Sequence, residues 1–519
     1  MAVKTFAAVS IGSTETEMRI YELSKARGMK QIECISTRLN LGADAYEDRS
    51  LDSGKIDRLC SVLKEFKEIM DAYKVDACEI CATSALRELR SALITRDYIE
   101  NRTGLKIRII SNSEQRFLDY ESIASESDSF ETIIGSGTAI VDIGGNSMQI
   151  SVFDKDRLIT TQNIPMGKLS TREKYYPVAS NNRHFEALVM ELLEHELGGF
   201  GKLYQKEREI RKLIVVDNDL LELVRSMGVK PEGNVYPVDQ TQFDLLYDKV
   251  LNMSPEEIAQ TYHISETAAE LVPQSLIFGR GLGLKLGATT IWLMDVSLCD
   301  GLCYGYGVRE KILKSSHDFE SDIIAASRTI AKRYKSNQPH IRNVEELALE
   351  IFDKTKKVHG LEARERLLLQ ISAILHNCGK YISLTNVSDC AYNIIMATEI
   401  IGISHEERQI IANVVKYNTQ RFEYYGTIAS KSDVSQDDYL VISKLTAILR
   451  LANALDRAHS QKCAGASINV KDRDLVISIK TDKDLSLEKI TVDEHKDFFE
   501  EVFNLHPVIH QKKVTGGAK

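Results

Sequence analysis

The chain has no apolar run approaching the ~18 consecutive residues that suggest a membrane-spanning helix, so no membrane partner is expected. It opens MAVKTFAAVSIG, with a single Lys followed by an alternating strand pattern. The longer apolar core and small-residue cleavage site of a secretory signal are missing. An excess of basic charge is missing too. Lys and Arg number 66 against 75 Asp and Glu, for a net charge of -9. That excludes a global positive field for a nucleic acid duplex, and any polyanion must be held by a local basic site. The nine cysteines are odd in number and scattered, a pattern of reduced thiols that points to the cytoplasm. Cys78 and Cys81 form a CxxC with no second pair nearby. They lie in a strand pattern, where residues three apart face opposite ways, so no metal site is expected there.

What is present reads as two to four domains in 519 residues, with 43% hydrophobic and 27% charged side chains. The segments TFAAVSI (5–11) and EMRIYEL (17–23) flank a Gly12-Ser13 break. They predict a β-hairpin, followed by a third strand over 31–38. Apolar residues at Ile56, Leu59, Cys60, Leu63, Phe66 and Met70 have helical spacing within 53–75. A strand at 78–83, a helix over about 86–101, a strand at 106–110 and a helix from about Ser113 follow. Helices between strands imply crossovers and a mixed or parallel sheet.

The hairpin then recurs: TAIVDI (138–143), Gly144-Gly145, SMQISVF (147–153) and a strand over 157–162. A helix over about 183–197 and a short strand at 212–216 follow. Two copies of one unit suggest a duplicated, two-lobed architecture. From Asp318 to Lys462 the pattern is almost wholly helical, broken by SNQPH (336–340). SINVKDRDLVISIK (467–480) reads as a hairpin turning at 472–474, and the tail QKKVTGGAK as frayed.

Two Gly-turn hairpins facing one another suit phosphate. Glycine lets the backbone approach an anion, and the turn directs N–H groups at phosphoryl oxygens. Gly12, Ser13, Gly144, Gly145, Asn146 and Ser147 are therefore candidate phosphate-binding residues. An Asp just before such a turn, as at Asp142 in VDIGG, suits Mg2+ that bridges phosphates.

In order and spacing, AVSIGSTETEMRIYE, CATSALRE, RIISNSEQRF, AIVDIGGNSMQISVFD and DVSLCDGLCYGYG resemble the successive motifs of the exopolyphosphatase/guanosine pentaphosphate phosphatase family over about residues 5–310. The resemblance implies an α/β chain. Its two RNase H-like lobes, 1–127 and 128–312, have the actin/Hsp70/acetate kinase superfold, and an all-α HD-like domain with a small C-terminal β-hairpin follows over 318–519. It also implies hydrolysis of a terminal phosphoric anhydride in the inter-lobe cleft, with Mg2+ as cofactor. Polyphosphate or guanosine penta/tetraphosphate is the implied ligand, and a homodimer the implied assembly. Catalysis of this kind is positioning plus electrostatic stabilisation.

Several positions depart from the family pattern. Ser10 stands at the first-loop Asp, Gln115 at the catalytic Glu of RIISNSEQRF, and Gln149 at the Glu closing the second loop. An amide neither takes a proton from water nor offers a cation charge. Three ways forward remain open. Glu114 acts on water if its helix is rotated by one residue, Glu15 or Glu17 supplies missing charge, or the protein binds without hydrolysing. Arg87 matches the family Arg before the catalytic helix and is a candidate phosphate contact. Lys202, Lys206, Arg208, Arg211 and Lys212 form a basic cluster that could guide a polyphosphate tail.

In the helical region, His340 and His376 resemble two metal-ligand positions of HD-type domains. The His-Asp pair reads His376-Asn377, the later Asp of RLANALD is Asn453 although Asp456 is kept, and a further His reads Cys390. Two imidazoles without their carboxylates point to a structural or dimerising role. SHEERQII (404–411) reads as a capping-box helix start. An anhydride hydrolase is the first reading of the whole, and a catalytically silent sensor of a polyphosphorylated ligand the second. A sugar or acetate kinase is disfavoured because 213–223, where an adenosine site would sit, has no glycine.

Overall fold

The computed structural model describes residues 3–47, 49–125, 133–135, 137–155, 157–205, 208–315, 317–431 and 434–512. The chain divides into two compact units, Met1–Phe319 and Glu320–Lys519.

In the first unit the β-prone run at the N-terminus forms β1 (Lys4–Ile11), which turns at Gly12 into β2 (Glu15–Ser24) and then β3 (Gly28–Arg38). With β4 (Ala77–Ala82) and the two-residue β5 (Arg108–Ile109) they form a sheet in the order β3-β2-β1-β4-β5. β1 runs antiparallel to β2 and parallel to β4, and the helix Ser53–Ala72 makes the crossover. Asp52 caps that helix through Gly54 and Lys55 N–H groups, and it buries Leu59, Leu63, Phe66 and Met70 against the sheet. Each such side chain is worth about 1.5–3 kcal/mol of burial.

The second sheet holds β6 (Thr138–Ile143), β7 (Met148–Asp154), β8 (Arg157–Ile164), β9 (Lys212–Val216), β10 (Val235–Asp239) and β11 (Thr290–Met294). Its order is β10-β11-β9-β6-β7-β8. Read from β8 inward, the first four strands repeat the order β3-β2-β1-β4 of the first sheet, and both hairpins share their pairing. Ser10 faces Glu17 and Ile11 faces Thr16 in one, while Asp142 faces Gln149 and Ile143 faces Met148 in the other. The register makes Ser10 the counterpart of Asp142, and Glu17 of Gln149.

Two elements differ from the sequence pattern. The single helix expected over 86–101 is two pieces, Ser84–Arg87 and Ala92–Thr103. The strand expected over 106–110 pairs only at Arg108–Ile109, because just Cys81 and Ala82 extend far enough to meet it. The helix Leu298–Arg309 packs on β1 and on the helix Asn112–Ser125 of the first lobe, so it closes that lobe rather than the second. Cys78 is exposed and Cys81 buried, on opposite sides of β4 as alternation requires.

The second unit is a helical array, with Ser404 and Glu407 completing the expected capping box. The expected hairpin, β12 (Ser467–Lys471) and β13 (Asp474–Lys480), turns at Asp472 with φ 55°. It is joined in parallel by β14 (His506–Lys512) after the helix Ser486–Phe503, making a three-stranded sheet rather than a hairpin. Within the tail QKKVTGGAK, residues 513–519 lie outside the described residues, as does Lys206 of the basic cluster.

Candidate functional site

The two Gly turns have one geometry. Gly12 N–H donates to Glu15 O at 2.9 Å, and Gly144 N–H to Ser147 O at 3.0 Å. A Cβ on either glycine would meet that same carbonyl at 3.0 Å. At Gly145 a Cβ would come within 2.8 Å of Ser13 Oγ, and at Gly167 within 2.3 Å of the Asn146 backbone. None of these glycines has a positive φ; close approach is what requires them. The carbonyls of the second turn cap the helix Lys168–Tyr175, Gly144 O accepting from Lys168 N–H and Gly145 O from Leu169 and Ser170 N–H. The N–H groups of Ser13, Thr14, Gly145 and Asn146 are left without a partner among the described residues.

Both turns line a cavity of ≈ 150 Å³ within the first unit. Its walls include Ser10, Glu15, Glu17, Arg38, Arg87, Gln115, Asp119, Asp142, Lys168, Asp217 and Asp219.

Of the predicted site residues, Gly12, Ser13, Arg87, Gln115, Asp142, Gly144, Gly145, Asn146 and Ser147 all meet here. Glu114 does not, which corrects the expectation that it acts on water. Its carboxylate accepts from Ser111 N–H at 2.9 Å while Ser111 Oγ accepts from Glu114 N–H at 3.2 Å, and Arg108 pairs with it at 2.6 Å. It is a helix-start residue, held where the macrodipole favours negative charge. Arg87 lines the cavity with its guanidinium engaged on Ile110 O at 2.8 Å and on Asn112 Oδ1. The described members of the basic cluster are not on these walls. Arg208 pairs with Asp154, Arg211 with Glu209, and Lys212 stacks on Trp292.

Sequence reasoning missed Asp119, Lys168, Asp217 and Asp219. Asp119 follows Gln115 by four residues on one helix and so shares its face; that spacing was the available signal. Asp142 is half-buried, accepts from Gln115 Nε2 at 3.2 Å and lies against the Asp119 carboxyl. Burial and then the neighbouring Asp142 hold the Asp119 proton on, well above the usual carboxylate range. Burial pushes Asp142 up to about 6, with Lys168 pulling down and Asp217 pushing up.

The other cleft carboxylates have charged or fixed partners. Lys168 Nζ, buried, bonds Asp217 Oδ1 at 3.0 Å and Asp219 Oδ2 at 2.5 Å. Asp217 also accepts from Ser275 Oγ at 2.7 Å and from Asp219 and Leu220 N–H groups at 3.0 Å. Arg38 reaches across from the first lobe to Asp219 at 3.2 Å and Glu222 at 3.1 Å. Glu15 accepts from Asn218 at 2.7 Å. Glu17 is held by Arg19 at 2.7 Å and Ser297 at 2.6 Å.

This donor set does not fit Mg2+. Asp142 already takes hydrogen bonds from Gln115 and Asp119, Asp217 and Asp219 are bonded to Lys168, Glu17 is held by Arg19 and Ser297, and Ser10 and Gln149 stand at the other two hairpin positions. Among the described residues no three His, Cys, Asp or Glu side chains are grouped to hold a metal ion.

In the second unit, His340 Nδ1 meets Asp456 at 2.8 Å and His340 Nε2 meets His376 Nε2 at 3.1 Å. His376 Nδ1 donates to Ala373 O at 2.6 Å, so its Nε2 accepts, from His340 and from Asn377 Nδ2 at 2.9 Å. Burial pushes His376 down to about 3 and His459, stacked on His340, down to about 4. Asn453 contributes its backbone carbonyl to Asp456 N–H. The degenerate positions thus form a closed, buried network.

Two repeated sheets, each opening a Gly-turn hairpin on a shared cleft, define the actin-like ATPase fold. An exopolyphosphatase from Cytophaga hutchinsonii shares it, with TM-score 0.54, 15% identity, and coverage of 60% of this chain and 99% of that one. So does the Aquifex aeolicus Ppx/GppA family member, with TM-score 0.50, 17% identity, and coverage of 60% and 99%. Residues 20–306 match the Ppx/GppA phosphatase family and residues 324–496 match Ppx/GppA phosphatase, domain III. The chain belongs to the Ppx/GppA phosphatase family. A guanosine-5'-triphosphate,3'-diphosphate pyrophosphatase from Aliivibrio fischeri is 21% identical over 462 residues, 86% of each chain.

Proposed function

We propose that this chain is a phosphoric-anhydride hydrolase that releases terminal phosphate from polyphosphate or guanosine pentaphosphate in the cleft between its two lobes. The carrying observation is the pair of matching Gly turns, whose four unpartnered N–H groups line one cavity beside Asp142. The names of the relatives support the substrate class.

Asp142 immediately precedes the second Gly turn, and its hydrogen bonds come from the uncharged Gln115 amide and Asp119 carboxyl. Ionised, it takes a proton from water, the water oxygen bonds to the terminal phosphorus, and the bridging P–O bond breaks toward the leaving phosphate. A carboxylate titrating near 6 suits a general base at neutral pH. Gln115 orients it, and the turn N–H groups stabilise the charge on the phosphoryl oxygens. The cytoplasmic location read from the scattered cysteines and the homodimer implied by the resemblance belong to this reading.

A second reading, a sensor that binds without hydrolysing, is favoured by the amides at Gln115 and Gln149. Phosphate release from long-chain polyphosphate by wild type and Asp142→Asn separates the two. Release lost in the variant supports the hydrolase, and no release from wild type with binding intact supports the sensor.

A further inference from the structure

Lys168 is a full cation placed inside the cleft by the helix that the second Gly turn caps. An ammonium has three N–H donors. Two are taken by Asp217 and Asp219, and the third has no partner among the described residues while the side chain lines the cavity. The two aspartates are in turn bonded elsewhere in the fold. Asp217 holds Ser275 and two backbone N–H groups, and Asp219 holds Arg38. Their position is therefore fixed by the fold and not by a ligand.

A hard dication entering here would find Asp142, Asp119 and Glu15 as the lining carboxylates not paired with a cation, with Asp119 holding its proton and Glu15 already taking Asn218 and Ser36, and it would sit in the field of the ammonium. Mg2+ demands near-octahedral oxygen ligands and dehydrates reluctantly. The protein offers it no such set, and offers a phosphoryl oxygen an ammonium instead.

We infer that Lys168 takes the place of a divalent cation in this cleft, its free N–H meeting a phosphoryl oxygen of the ligand, so that phosphate binding needs no Mg2+. This rests on the cleft being an anion site, and it holds whether or not hydrolysis follows. Lys168 and Asp217 also tie the second turn to β9, so their loss moves the turn as well as the charge.

The test is calorimetry of tripolyphosphate binding to the full chain, in EDTA and in Mg2+, for wild type, Lys168→Met and Lys168→Arg. The expected result is equal wild-type affinity in both media, a loss of roughly tenfold or more in Lys168→Met, and retention in Lys168→Arg. A wild-type affinity that collapses in EDTA and returns with Mg2+ overturns the inference, as does Lys168→Met binding like wild type. Should circular dichroism show Lys168→Met unfolded, the EDTA comparison and Lys168→Arg decide. Binding in EDTA without phosphate release sinks the hydrolase reading alone, and no binding in either medium overturns both.

Discussion

At the scale of single residues, the cleft separates two carboxyls by environment. Asp119 stays protonated beside Asp142, which titrates near 6. The folded value of Asp142 is raised, so its ionised form appears as pH rises through about 6. Phosphate release should climb with that ionisation and flatten above it, an acid limb that a pH-rate profile resolves. Glu114→Gln should leave release unchanged, since Glu114 closes a capping box outside the cavity, and should cost about 1 kcal/mol of stability in urea unfolding. In the second unit, His376 and His459 are depressed below the ordinary histidine value. Their neutral forms favour the folded state above about 6.5, and that contribution is lost as pH falls toward 4 and 3. Thermal melts should therefore show acid weakening below about pH 6.5. Asp456→Asn should destabilise this unit by about 1–3 kcal/mol, because both Asp456 oxygens serve buried partners, His340 and Gln461, and an amide keeps only one acceptor oxygen.

At the scale of elements, the Gly turns are the parts that sequence made legible. Alternation broken by glycine announces a hairpin, and its recurrence announces the repeat. The register adds what alternation cannot, that Glu17 is the counterpart of Gln149, so at these paired positions each hairpin keeps one carboxylate, on opposite strands. Lys168 and Asp217 were not legible, because β9 reaches the second turn only through the sheet order β9-β6-β7 and no local spacing records that neighbour relation. Glu114 was misread because adjacent helix positions face about 100° apart, and only the Ser111 capping box fixes which of Glu114 and Gln115 turns inward. Gly145→Val should abolish tripolyphosphate binding with little loss of secondary structure, since a Cβ there already meets Ser13 Oγ at 2.8 Å. Calorimetry beside circular dichroism reads both outcomes.

At the scale of the molecule, the first unit is a duplicated pair of lobes latched across the cleft by Arg38 to Asp219 and Glu222 and by Asn218 to Glu15. The cavity they line is ≈ 150 Å³, below the ~300 Å³ of ordinary ligand pockets, and if the latch limits access its loss should speed ligand entry. Arg38→Ala should accordingly raise the on-rate for tripolyphosphate in stopped flow, and a slower on-rate would contradict a latch. In the proposed mechanism Asp142 drives anhydride hydrolysis between the two Gly turns, and phosphate release from long-chain polyphosphate at neutral pH is the measurement to make. The wild type should release phosphate, and Asp142→Asn should release it about 10²-fold or more slowly. No release from a wild-type protein that binds polyphosphate, or an Asp142→Asn variant as active as wild type, would contradict this mechanism.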